Sequence, residues 1–407
     1  MSRLCLFLFL FLFVFVGGLV AGCASSSVSR PSPASIKVGM ICSCSGPEAA
    51  AVGATGTVIQ AWAKYVNANG GLNGYPVDVI VKDDDLNPAL SVREAKELVT
   101  QDHIVAMVGE TSQVDTAWAD YIERAGVPVV GGISQEPPFL TNPDFFPSGA
   151  QLAQVIGIAA LAKLSGKTHL GVLYCAESPI CAEVVPVTQA ATRMFGLKFS
   201  AAKILATAPS YAAPCLAAKS AGVDSMWVAD ASPVVLRFVA ACVQQGYAPL
   251  QLGEIPSATN AWLTDKDTKG MLLTGPNANP FDPSLPAVKI FRDALDKYAP
   301  GLVTSSSFAW PTILAWTGGM LFDAAATAAH LTPSSHPADV KRGLYALRNE
   351  TLDGLAPPLN FAPGPPKFVP CYFTEEVLDG RFASLAGGKP TCLSPAEAKS
   401  LVAALKS

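Results

Sequence analysis

The stretch that most constrains this chain is residues 36–74: a short apolar run, a Gly/Ser/Pro turn, an amphipathic segment and a Gly-rich stop. Ile36, Val38, Met40 and Ile41 read as a strand buried on both faces of a parallel sheet. Cys42-Ser43-Cys44-Ser45-Gly46-Pro47 breaks that strand, and Gly53 and Gly56 let the backbone approach whatever lies at its carboxyl end. Val58, Ile59, Trp62, Tyr65 and Val66 then recur at helical spacing as one apolar stripe. Asn69-Gly70-Gly71 supplies the left-handed backbone that ends helices, and a strand follows over 77–81. Strand, crossover helix and parallel strand make a βαβ unit, so the chain is α/β.

The same alternation continues. Lys82-Asp83-Asp84-Asp85 reads as a solvated strand end rather than a calcium loop, because the Gly and Glu of such a loop are missing. Asn87 and Pro88 then read as N-cap and first residue of a helix. Strands are expected over 104–108 and 127–130, ending in Gly109-Glu110-Thr111-Ser112-Gln113 and Gly131-Gly132-Ile133-Ser134-Gln135. Further strands are expected over 168–174, 199–205, 224–228, 250–253 and 271–274, with helices between them. Apolar helices follow over 286–298 and 311–329, then a strand pair within 361–377. Ser394-Pro395-Ala396-Glu397 has the form of a capping box opening a last helix. In open α/β sheets ligands bind beyond the carboxyl ends of strands, which draws attention to the segments just named.

At the amino end, residues 4–16 are apolar but fall short of the roughly 20 residues that span a bilayer, so residues 1–22 read as a secretory signal. Val20-Ala21-Gly22-Cys23 resembles a bacterial lipobox, which makes Cys23 the lipidation site and residues 23–35, rich in Ser and Pro, a tether. Eight further cysteines suit an oxidising compartment. Proximity favours Cys175 with Cys181 and Cys371 with Cys392, and Cys215 with Cys242 could join neighbouring helices. Cys42 and Cys44, two apart on an extended strand, are expected to form a strained bridge or none.

Composition and motifs exclude several classes. A net charge of −4 with no Lys/Arg cluster argues against nucleic acid as a partner. The four histidines are scattered, no second Cys or His pair sits at zinc spacing, and no P-loop or G-x-S-x-G elbow exists. No metal, cofactor or enzymatic activity is therefore expected.

The ordered set Ile36-Lys37-Val38-Gly39-Met40, Ser45-Gly46-Pro47, a helix ending in Asn67-Ala68-Asn69-Gly70-Gly71-Leu72-Asn73-Gly74, and Val77-Asp78-Val79-Ile80-Val81 resembles type I periplasmic solute-binding proteins. These are the receptors of ABC importers similar to the leucine/isoleucine/valine-binding protein. The resemblance implies two Rossmann-like αβα lobes joined by a three-stranded hinge. Lobe 1 would comprise residues 36–148 and 276–355, lobe 2 residues 149–275 and 356–395, and the C-terminal helix residues 396–407. It implies that Ser45, Glu110, Thr111, Ser112, Ile133 and Ser134 line the ligand site from lobe 1, and Tyr174, Glu177 and Asp230 from lobe 2. Ser112 and Ser134 match hydroxyls that grip an amino acid's carboxylate, and Asp230 matches a carboxylate that pairs with its ammonium. Glu110 departs from the small or apolar residues common at its position. The implied partners are a small polar ligand, amino acid or amide-like, an ABC permease, and a membrane through Cys23, outside the cytoplasm. A lipoprotein that senses its ligand without transport is the alternative.

Overall fold

The computed structural model describes residues 34–150, 152–177, 179–182 and 184–405. The signal peptide, Cys23 and nearly all of the tether lie outside the described residues. The opening unit forms as its pattern dictates: β1 (Ile36–Cys42) is buried except at Lys37, and the helix Thr55–Ala68 buries Val58, Ile59, Trp62 and Val66. β1, β2 (Val77–Asp83), β3 (Met107–Glu110), β4 (Val129–Gly132) and β5 (Phe145–Phe146) make an all-parallel sheet in the order β2-β1-β3-β4-β5.

The second sheet contains β6 (His169–Cys175), β7 (Lys198–Ile204), β8 (Ser225–Ala229), β9 (Leu250–Glu254), β10 (Leu272–Gly275), β11 (Cys371–Leu378) and β12 (Arg381–Ser384), in the order β12-β11-β10-β9-β8-β6-β7. β6 to β10 are mutually parallel, whereas β11 runs antiparallel to β10, β12 and the short β13 (Thr391–Cys392). Among the described residues no helix is long and apolar enough to cross a membrane.

Helix Pro311–Ala329 returns to the first sheet and lies across the carboxyl ends of β3 and β4. Its approach is so close that a Cβ on Gly131, itself at φ +69°, would come within 2.2 Å of the Gly318 Cα. A Cβ on Gly318 would come within 2.6 Å of the Gly109 Cα. Glycine on both sides is what lets helix backbone touch strand backbone there.

Three passages of chain connect the two sheets and meet at one residue. Asn277 Nδ2 donates to the Ser148 carbonyl at 2.8 Å and to the Leu355 carbonyl at 3.2 Å. The Ala150 N–H reaches Pro276 O at 3.1 Å and the Ala278 N–H reaches Leu355 O at 3.0 Å. β5 ends two residues before Ser148 and β10 ends two before Asn277, so the carboxyl edges of both sheets converge on this junction.

Four disulfides form: Cys42–Cys44, Cys175–Cys181, Cys215–Cys242 and Cys371–Cys392. The first corrects the expectation of a strained or absent bridge in one respect: the bridge forms. β1 stops at Cys42 and the chain bends, bringing the two Cα atoms to 5.1 Å, inside the usual disulfide range. A second correction concerns 361–377. Residues up to 370 are irregular, with Gly364-Pro365-Pro366 among them, and the strand pair is β11 with β12. The last helix, Pro395–Leu405, opens on the expected reciprocal bonds between Ser394 and Glu397.

Candidate functional site

The first sheet's carboxyl edge is built by the loops after β1, β3 and β4. Glu110 ends β3 level with Gly132 and is fully buried; its Oε1 accepts the Ser112 N–H at 2.5 Å and its Oε2 has no partner. Burial, and behind it the charge of Asp115, pushes the Glu110 carboxyl well above the usual range. The Thr111 hydroxyl meets Thr55 Oγ1 at 2.7 Å, and the Ile133 N–H bonds the Glu110 carbonyl at 3.2 Å. Ser134 is 1% exposed, and its hydroxyl makes only a long 3.4 Å bond to Gly132 O. The Ser45 hydroxyl donates to Asp85 at 3.2 Å.

Ser112 is occupied by a group that the sequence reading placed in solvent. Asp84 is 0% exposed. It accepts from Ser43 Oγ at 2.8 Å, the Leu86 N–H at 3.0 Å, Ser91 Oγ at 2.9 Å and Ser112 Oγ at 2.5 Å. The aspartate run is therefore no simple solvated strand end: its middle member turns inward and ties three loops of this edge together. Each bond has a charged acceptor, the stronger kind.

The second sheet presents Tyr174, level with Ala229, and Glu254, level with Thr274. Asp230 follows Ala229; its Oδ1 accepts the Ala231 N–H at 2.7 Å, and its buried Oδ2 has no partner. Burial raises the Asp230 carboxyl, and nearby Glu177 adds to the rise. Glu177 is exposed and accepts the Ala206 N–H at 2.7 Å, bracing its own loop. Ser232, the first residue of helix Ser232–Gln244, accepts from Trp262 Nε1 at 2.7 Å, so its hydroxyl serves packing.

Glu254 was missed by the sequence reading. Its Oε1 is buried without a partner, and burial pushes the carboxyl up to about 7. A signal existed: Gly253-Glu254 at a strand end repeats Gly109-Glu110. A cavity of about 200 Å³ lined by Leu173, Ala202, Ala218 and Met226 lies on the flank of the second sheet, is apolar, and includes none of these groups.

Both edges thus end in loops carrying buried carboxyl and hydroxyl groups around one three-passage junction. A model of the periplasmic binding protein family matches residues 35–378. The chain belongs to that family.

Solved structures share its fold. A branched-chain amino acid ABC transporter protein from Thermus thermophilus, with bound valine, superposes with a TM-score of 0.74 at 16% identity, covering 90% of this chain and 99% of that one. A fatty acid ABC transporter substrate-binding protein from Thermomonospora curvata gives 0.71 at 18% identity, with 91% and 96% covered. A leucine-binding protein from Thermotoga maritima gives 0.67 at 16%, with 86% and 98% covered. A search of curated proteins by sequence finds no match. Among the described residues no cluster of His, Cys, Asp and Glu has the form of a metal site.

Proposed function

We propose that the protein is an extracytoplasmic solute-binding receptor that captures a small polar ligand, of amino-acid or amide character, between its lobes and delivers it to the permease of an ABC importer. Lipid on Cys23 holds it at the membrane surface, a reading supported by the Val20-Ala21-Gly22-Cys23 motif and the signal before it. The observation that carries the proposal is the convergence of both carboxyl edges on the Asn277 junction, each edge bearing polar atoms without partners.

The mechanism is hinge closure. A ligand that bonds groups of both lobes at once does so only when they are together, and that differential contact shifts the equilibrium toward the closed form. Micromolar affinity needs about 8 kcal/mol. Hydrogen bonds to charged groups contribute about 1.5–3 kcal/mol each, so a few groups among Ser134, Tyr174, Asp230, Glu254 and nearby main-chain amides suffice.

The test is a thermal-shift screen of the purified protein against amino acids, amides, urea, amines, small carboxylates and sugars. A true ligand at about a hundredfold excess over its dissociation constant adds about 2.7 kcal/mol of stability. One chemical class raising the melting temperature is expected. A melting temperature that no small solute moves would count against the receptor.

A further inference from the structure

The lobe 1 edge holds buried acids where a carboxylate-ended solute would need donors. Glu110 is 0% exposed and Asp115 1% exposed, and Glu110 Oε2 and Asp115 Oδ2 are both without a hydrogen-bond partner. Asp115 stands at the N-cap of helix Thr116–Ala125 without a side-chain capping bond, and its Oδ1 accepts from Thr116 Oγ1 at 3.4 Å. In the loop after β4 both amide atoms of Gln135 are also buried and unpartnered. Among the described residues neither acid is in an ion pair, and Lys82, Arg93 and Lys341 pair instead with Glu97 or Asp144.

An unpartnered buried carboxyl oxygen is costly unless something supplies a donor or a positive charge. Asp84 shows what a satisfied acid looks like in the same lobe, with four bonds from its own chain. Glu110 and Asp115 lack such donors on one oxygen each. The second lobe mirrors this, with Glu254 Oε1 and Asp230 Oδ2 also open. We infer that the ligand presents a nitrogen cation, an alkylammonium, amidinium or guanidinium group, to Glu110 and Asp115, and N–H donors again to Glu254 and Asp230. A solute whose lobe 1 end is a carboxylate gains no ion pair with these acids, so it binds less well than the cation.

This rests on the receptor reading and narrows it to solutes such as α,ω-diamines and guanidino-amines. Protonation fits the scheme. Burial, then the neighbouring Glu136, pushes Asp115 up to about 8, and Glu110 is raised as well, with Asp84 and Glu136 the other acids facing them. Asp115 therefore holds its proton near neutrality, and a bound cation drives it off.

Calorimetric titration of the full-length protein tests the inference, using C3 to C5 diamines and agmatine against two isosteres of putrescine, 1,4-butanediol and succinate, and against leucine. At least one dication is expected to bind while succinate and leucine do not. Glu110→Gln and Asp115→Asn should each weaken that binding by about tenfold or more. Binding near neutral pH should also release protons, read as a buffer-dependent heat that shrinks in both variants; a merely structural role would leave it unchanged. Saturable binding of leucine or succinate in place of the dications would overturn the inference and leave the receptor standing. Binding by no solute of any class would overturn both.

Discussion

Asp84 stands among three consecutive aspartates, and only the structure distinguishes it from its neighbours. Asp83 and Asp85 stay near solvent and brace Ser45, while Asp84 gathers three hydroxyls and an amide in the interior. A run of identical side chains gives no periodicity from which to tell the inward member, so this part of the site was illegible in sequence. Asp84→Ala leaves four donors without their acceptor and should destabilise the fold by about 3–5 kcal/mol in chemical denaturation. The acids that burial perturbs predict a pH effect of definite sign. Unfolded carboxyls lose their protons near pH 4, whereas Glu94 and Glu254, raised to about 7, and Asp115, raised to about 8, hold them longer in the folded chain. The folded state binds more protons across that window, so its stability falls as pH rises. The melting temperature should drop between about pH 5 and pH 8, and Asp115→Asn should flatten part of that slope.

At the scale of elements, apolar periodicity gave Pro286–Tyr298 and Pro311–Ala329 their correct bounds. Strand ends moved by a few residues, because pairing with neighbours, not side-chain pattern, decides where a strand stops. The stretch before β11 defeated the reading: its Gly and Pro residues mark turns but do not say how many residues separate them from the next pairing strand. The helix Pro311–Ala329 carries the sharpest prediction here. Gly318→Ala would raise helix propensity by about 1 kcal/mol in an exposed helix. Here the new Cβ meets the Gly109 backbone at 2.6 and 2.7 Å, and overpacking of that kind costs about 1–3 kcal/mol. Backbone cannot swing aside as a side chain does. We expect net destabilisation in urea, together with weaker ligand binding because Gly109 carries Glu110.

For the whole molecule, the repeated βαβ order made the α/β class legible from the chain alone, the two lobes came with the resemblance, and the family match agrees. The resemblance put the crossings near residues 148, 276 and 355, but that Asn277 ties them together was not legible, since it bonds residues 129 and 78 positions away and no local pattern marks such contacts. Asn277→Ala removes both bonds while keeping the Ala278–Leu355 and Ala150–Pro276 main-chain bonds. The lobes should remain folded but sample a wider range of openings, seen as a larger radius of gyration in solution and a weaker apparent affinity. Capture by closure is most directly tested by small-angle X-ray scattering of the protein titrated with a solute that raises its melting temperature. The account predicts a radius of gyration that falls in proportion to the bound fraction and then levels off. A radius unchanged at saturation would contradict capture between the lobes.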